Sequence, residues 1–478
     1  MAKPDRPKNK NAKKSETRRS GAKSSSDKNS SNKNSDTTHS ESDAGSSQSD
    51  SNSGTSSNSQ TRWGLIAILL LVFLAVGFFV GRGSLATYCK STARNRIAQF
   101  EYTKALESLE YAEQWGVDDA EVHFLKARIY RKTGKFDEFE KSIAQARLKG
   151  LPESQMNNEK LLLRGQSGKL GELLGQLEEL AGGVDQFDPP EVYEALVNGF
   201  LLHGRFVQAF SYLENWEKDF PDDPNQRFYK AAVMIRFGKI HGSGDQEEVK
   251  RILEKLIDDY PKHYRAMLTY GDFLMTLNQF EKAAELLERC VELPDAGNLP
   301  RISLAECYTN LGRQEDAKKM YLEIVESEPN NALVRGELGK LQYIDEEYDE
   351  ALKNLEIGYQ NRPWDADLAF GLARVLRISG KESEAQTLFD RATTIQNKQG
   401  EIQALTEELD KTPDEDKRFE LGKMVLQYGD PNMGVLYLRS ILDKNPGHQG
   451  AKEVLTEYLS RKSATTRGFD LFSAPIRN

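Results

Sequence analysis

The chain has 478 residues and a formal net charge of -9, from 65 Lys and Arg against 74 Asp and Glu. The charge is uneven: residues 1–62 hold 12 basic and 7 acidic side chains, and the remainder is net -14. An acidic body argues against nucleic acid as a partner. Three cysteines (Cys89, Cys290 and Cys307), none in a C-x-x-C, exclude a disulfide framework and a zinc ribbon.

Residues 1–62 are mostly Ser, Asn, Lys and Asp, with almost no apolar side chain. Such a segment cannot bury enough surface to offset chain entropy and is expected to be a disordered tail. The composition then flips: Gly64 to Val80 reads GLIAILLLVFLAVGFFV, bracketed by Arg62 and Arg82, with Trp63 at one edge. At 1.5 Å per residue, 63–81 would span about 28 Å, close to the hydrocarbon thickness of a bilayer. The expectation is one transmembrane helix over 63–81, a single-pass membrane protein, and the membrane as a partner through that segment. The basic tail favours a cytoplasmic N-terminus, with the rest on the opposite, periplasmic or extracytoplasmic side. The nearer flank points the other way, with Arg82, Lys90, Arg94 and Arg96 against Arg62 alone.

From residue 86 onward the chain repeats itself. Frames starting at 264, 298, 332 and 366 place Gly271, Ala305, Gly339 and Ala373 at position 8. They place Ala283, Ala317, Ala351 and Ala385 at position 20, with Leu287, Tyr321, Leu355 and Phe389 at position 24. Pro329 and Pro363 fall at position 32. Earlier starts at 86, 120, 154, 190 and 224 give Ala105, Gly134, Phe136, Gly168, Gly204, Phe206, Ala209, Ala231 and Gly238. About six extra residues follow near His241. After an insertion at 400–414, which reads as an extra polar helix, a start at 415 gives Gly422, Gly429, Leu438 and Pro446. An amphipathic stretch over 451–461 closes the series, and 463–478 is a C-terminal tail. Small residues at 8 and 20 let two helices approach closely. A Gly near 15 ends the first helix, and Pro at 32 cannot continue the second.

This pattern resembles the tetratricopeptide repeat family, whose unit is a 34-residue helix–turn–helix. The resemblance covers 86–462 in about ten frames; frames 154 and 415 depart most, with Leu161 and Leu173 at positions 8 and 20 of the first, and Pro431 and Gly434 at 17 and 20 of the second. It implies an all-α, right-handed superhelical solenoid with a concave groove lined by the first helix of each unit. On the family's geometry, position 9 faces the groove, giving Asn198, Asp272, Glu306, Lys340, Arg374 and Lys423, with Arg377 at position 12 of its frame. The basic C-terminal end of that series suits an acidic segment of a protein or peptide partner.

Catalytic signatures are missing: there is no phosphate loop, no H-E-x-x-H, no G-x-S-x-G and no dinucleotide fingerprint. No enzyme activity, cofactor or metal is expected. The expectation is a membrane-anchored scaffold that binds protein or peptide partners. A cytosol-facing chaperone or import receptor is one alternative. Its two-carboxylate clamp would need a full set of basic and amide positions, but only Lys90 matches, while Arg94, Leu125, Gln155 and Glu159 do not. An enzyme that uses the repeats to recruit substrate is the other. Cys290 and Cys307 are expected to be small buried hydrophobes, with a bridge between them as the alternative.

Overall fold

The computed structural model describes residues 57–167, 173–182, 189–241 and 245–465. Residues 1–56 of the expected tail, Gly168, and the C-terminal tail from 466 onward lie outside them. Among the described residues there are twenty-one α-helices and no strand. The order is α1 (Ser57–Ala98), α2 (Tyr102–Gln114), α3 (Ala120–Lys132), α4 (Phe136–Leu148), α5 (Glu153–Gln166), α6 (Leu174–Gly182) and α7 (Pro189–Leu202). Then come α8 (Phe206–Asp219), α9 (Pro224–His241), α10 (Gln246–Asp259), α11 (Tyr264–Thr276), α12 (Phe280–Val291), α13 (Leu299–Asn310) and α14 (Gln314–Ser327). The last are α15 (Ala332–Ile344), α16 (Tyr348–Asn361), α17 (Ala366–Ile378), α18 (Glu382–Lys411), α19 (Glu415–Tyr428), α20 (Pro431–Lys444) and α21 (Gln449–Thr465). The chain divides into Met1–Leu71, whose described part is the start of α1, and Val72–Asn478, which holds the helical array.

The transmembrane expectation is corrected. Among the described residues no helix is long and apolar enough to cross a membrane. The segment 63–81 is not a separate rod. It lies inside α1, which runs past Arg82 to Ala98, where Ala86, Cys89 and Ala93 are buried. The single-pass placement, with its assignment of sides to tail and array, falls with the span.

Local chemistry sets the helix ends. Asp119, Asp245, Asn331, Asp365 and Asp414 each accept the backbone N–H three residues on, so satisfying one orphan donor at a helix start. The turn after the first helix of a pair is left-handed at Gly134, Gly204, Gly312 and Gly380. Phe100, Asn278 and Glu346 hold the same conformation at the equivalent place without being glycine, which costs a non-glycine residue about 1–2 kcal/mol. Two turns differ. Gly238 sits inside α9, which continues to His241, and Gly429 is extended, with φ -124. The insertion at 400–414 does not form its own helix but lengthens α18 to 30 residues.

Helices within a pair meet at small residues. Ala283, Ala317, Ala351 and Ala385 are fully buried. A Cβ on Gly271 would lie 2.8 Å from Leu287, and one on Gly358 would lie 2.6 Å from the Gly336 Cα. Neighbouring pairs share one continuous core from Leu161 to Leu341, joined by Leu409, Leu421 and Tyr437 from the C-terminal end. The last helix, α21, buries Ala451 and Leu455 and turns Lys452, Glu453, Glu457 and Arg461 to water. Cys89, Cys290 and Cys307 are buried free thiols.

Among the described residues, distant repeats touch near the start of the array and again farther on. Near the start, the Phe100 ring lies 3.9 Å from that of His263, Lys262 donates to Glu101 at 2.6 Å, and Thr103 donates from both N and Oγ1 to Asp295 at 2.7 Å. Farther on, α20 rests against α8 and α9. Val207 N donates to Asp443 at 3.4 Å, Tyr437 to the Lys239 carbonyl at 3.2 Å, and Arg439 to the Leu202 carbonyl at 3.4 Å.

His263 caps α11 by accepting the Ala266 N–H on Nδ1, and it is buried between Phe100 and Phe228. Burial, with the Arg265 charge adding to it, pushes its pKa down to about 3 from an ordinary 6.5. The folded chain therefore holds His263 neutral where the unfolded chain would protonate it. This favours unfolding progressively as pH falls from about 6.5 toward 3, at up to about 1.4 kcal/mol per pH unit. In urea titrations across that window, the native chain should lose stability more steeply than His263→Asn, which keeps a capping oxygen. Parallel slopes would show that the ring is not buried neutral. The same titration at pH 7 should separate two glycine sites. Gly358→Ala is expected to lose about 1–3 kcal/mol from overpacking against α15. Glu346→Gly is expected to gain about 1 kcal/mol by relieving a left-handed side chain.

Candidate functional site

First helices of successive pairs contact one another, α7 with α9, α11 with α13 and α15 with α17, and we call the face they form the inner face; its character changes along the chain. In the N-terminal part it is filled by an ion network. Arg131 and Glu159 are wholly buried, 2.8 Å apart, and Arg128 reaches the other Glu159 oxygen at 2.7 Å. Arg131 also pairs with Glu191, and Lys132 stands 3.2 Å from both Glu191 and Glu194. Arg265 lies 3.6 Å from Glu194, and Tyr229 donates to it at 3.3 Å. Burial alone would raise the Glu194 carboxyl, but the Lys132 and Arg265 charges hold it down to about 2. Desolvation likewise opposes the Glu159 charge, and Arg131 and Arg128 outweigh it. Buried ions survive only when matched this closely. A hollow of about 380 Å³ opens beside the network, lined by Arg94, Tyr102, Leu125, Arg128, Glu191 and Tyr260 among others. Arg94 pairs with Glu121, and Arg128 and Glu191 belong to the network, so these charges serve the fold.

Sequence reasoning missed this network. Its members sit at groove positions of different frames, separated by 28 to 60 residues in its tightest pairs. The available signal was opposite charge at those positions in successive frames. Lys90, the one clamp match, is tied to Asp119 at 2.7 Å and Glu121 at 2.8 Å. Nearby, His123 lies 2.6 Å from Asp118 and 3.7 Å from Glu113. Both carboxylates are already neutralised by lysines, Lys126 at 2.7 Å and Lys149 at 2.8 Å, so the group is an ion-pair knot.

In the middle the inner face is covered by the chain itself. Asn198 donates to the Gln166 carbonyl at 2.7 Å and so joins two neighbouring helices. Asp272 lines a small hollow with Ile235, Arg236, Lys239 and Phe273, and Met433 of α20 closes it.

Toward the C-terminus the face opens. Glu306 is exposed. Lys340 pairs with Glu337 at 2.6 Å within its own helix, Arg374 is exposed, and Arg377 lies 5.0 Å over the Phe389 ring. Lys423 pairs with Glu420 at 2.7 Å and lies 5.0 Å over Phe419. The helices α15, with Lys340, and α17, with Arg374 and Arg377, are neighbours. Asn198 and Asp272 belong to other surroundings. Two apolar side chains missed in the sequence stand four residues beyond Lys340 and Arg374: Ile344 is 54% exposed and Ile378 51%. The signal for them was an isoleucine at position 13 of two successive frames, where the flanking frames have Asn310 and Gln427.

Tetratricopeptide-repeat family models match residues 241–293 and 343–409, and residues 120–146 and 301–331. No curated protein matches the chain. Among solved structures, an APC/C hetero-tetramer is 14% identical, covering 81% of this chain and 88% of its own, with a TM-score of 0.38. Pseudomonas aeruginosa PilF is 15% identical, covering 56% and 97%, with a TM-score of 0.37. YrrB, described as a TPR protein with an unusual peptide-binding site, is 16% identical, covering 43% and 97%, with a TM-score of 0.28. The family matches lie on the helix pairs described above, and over those residues the chain is similar to tetratricopeptide repeats.

Proposed function

We propose that the chain is a non-catalytic scaffold that binds an acidic protein segment with apolar anchors along the face of α15 and α17. The observation that carries this reading is the exposure of Ile344 and Ile378 beside Arg374 and Arg377. Large apolar side chains at equivalent places on adjacent helices, next to cations, offer a partner both burial and charge. Arg377, spread over Phe389, presents a planar donor set suited to a carboxylate. Lys340 is held by a half-buried pair with Glu337 of its own helix, a carboxylate that Arg362 also approaches at 3.4 Å.

The test is fluorescence anisotropy with labelled peptides in which Glu and Asp alternate with Leu and Phe, against neutral peptides of the same apolar content. Binding is expected to weaken about tenfold or more in Lys340→Glu with Arg374→Glu, and again in Ile344→Asp with Ile378→Asp. It should also fall as salt rises. Equal binding by the native and doubly substituted chains would remove this face from the function.

A further inference from the structure

The chain's own C-terminal repeat lies against α8, α9 and α11, and the contact is complementary in charge. On one side stand Arg205, Arg236 and Lys239. On the occupying side stand Asp443, 3.7 Å from Arg205; Asp430, whose charge acts on Arg236; and Asp410, which lines the same hollow as Lys239. Between them Met433 and Tyr437 fill the apolar centre, against Ile235 and Phe273 on one side and the Lys239 carbonyl on the other.

This contact is held by long hydrogen bonds, from 3.2 to 3.4 Å. The buried Asp443 Oδ1, Gln208 Oε1 and Arg418 Nε atoms at or beside it have no hydrogen-bond partner among the described residues. Water would satisfy all three if the contact opened. A gap of about 260 Å³ remains beside Asp410, lined by Met234, Ile235, Val249 and Phe273.

We propose that α19–α20, with the end of α18, is a displaceable occupant of this groove, and that the groove takes in trans a helical protein segment of the same make: a methionine and aromatic stripe flanked by acidic residues. The chain thus holds a second partner surface, separate from the face of α15 and α17, in a self-closed state.

The experiment uses the full chain and a labelled peptide of residues 430–445 as probe. Asp443→Arg reverses the pair with Arg205 and abolishes the acceptor for Val207. Amide exchange over α9 should then rise about tenfold, while α15 and α16 keep their protection. The probe should bind the Asp443→Arg chain at least about tenfold more tightly than the native chain. Adding Arg205→Glu to Asp443→Arg restores opposite charge and should reverse both changes. The proposal is overturned if exchange over α9 stays at the native level in Asp443→Arg. It is equally overturned if α9 opens without capturing the probe. Loss of helical signal in Asp443→Arg that the charge swap does not recover would make the contact part of the fold, and that too ends the proposal.

Discussion

The distance at which two helices can approach controls this molecule. Where α15 crosses α16, the backbones of Gly336 and Gly358 are in direct contact, and no side chain fits between them. The buried alanines of the following and preceding pairs serve the same purpose with one methyl each. Close approach lets the long side chains on either side, such as Leu287 and Leu355, fill the groove of the facing helix. A single pair still leaves an apolar edge bare, so each pair needs the next one. The extended core is the result of that requirement repeated along the chain.

The inner face that this stacking creates has three fates. At the N-terminal end, matched ions fill it, and the carboxylates stay charged because guanidinium groups and a lysine surround them. In the middle the chain turns back and covers it. Toward the C-terminus it is open, and isoleucines stand in water next to arginines. One repeat pattern therefore yields a strut, a closed groove and an exposed face, according to the side chains at a few equivalent positions.

The features legible in the sequence are those set within one pair. A small residue at position 8 or 20 acts on the helix a turn away, and the left-handed residue ends the helix that contains it. Even so, the turn geometry outlasts its glycine, since Phe100, Asn278 and Glu346 adopt it under the pull of the surrounding packing. The features not legible depend on partners elsewhere. A charge at a groove position looks the same in sequence whether water or a buried Glu194 faces it. Asp272, read as a groove residue, lies under Met433 because of a contact between repeats far apart in the chain. The apolar run before Arg82 read as an independent rod, whereas it is the front of α1, whose later turns bury Cys89 and Ala93. Of the candidate site, the cations Lys340, Arg374 and Arg377 were visible from their register. The isoleucines beside them were not, because an apolar residue in a helix is ordinarily assigned to the core.

The uninterrupted course of α18 has a geometric consequence. A helix advances 100° per residue, so the residues at 400–414 act as a gear between the two ends of the array. One residue added or removed there would swing α19 and α20 by more than a quarter turn and carry Tyr437 away from Lys239. Only changes near a whole number of turns, seven residues for example, would return the last repeat to the same bearing. The length of that stretch is thus a quantised angular setting, whereas most surface insertions in a protein are free to vary.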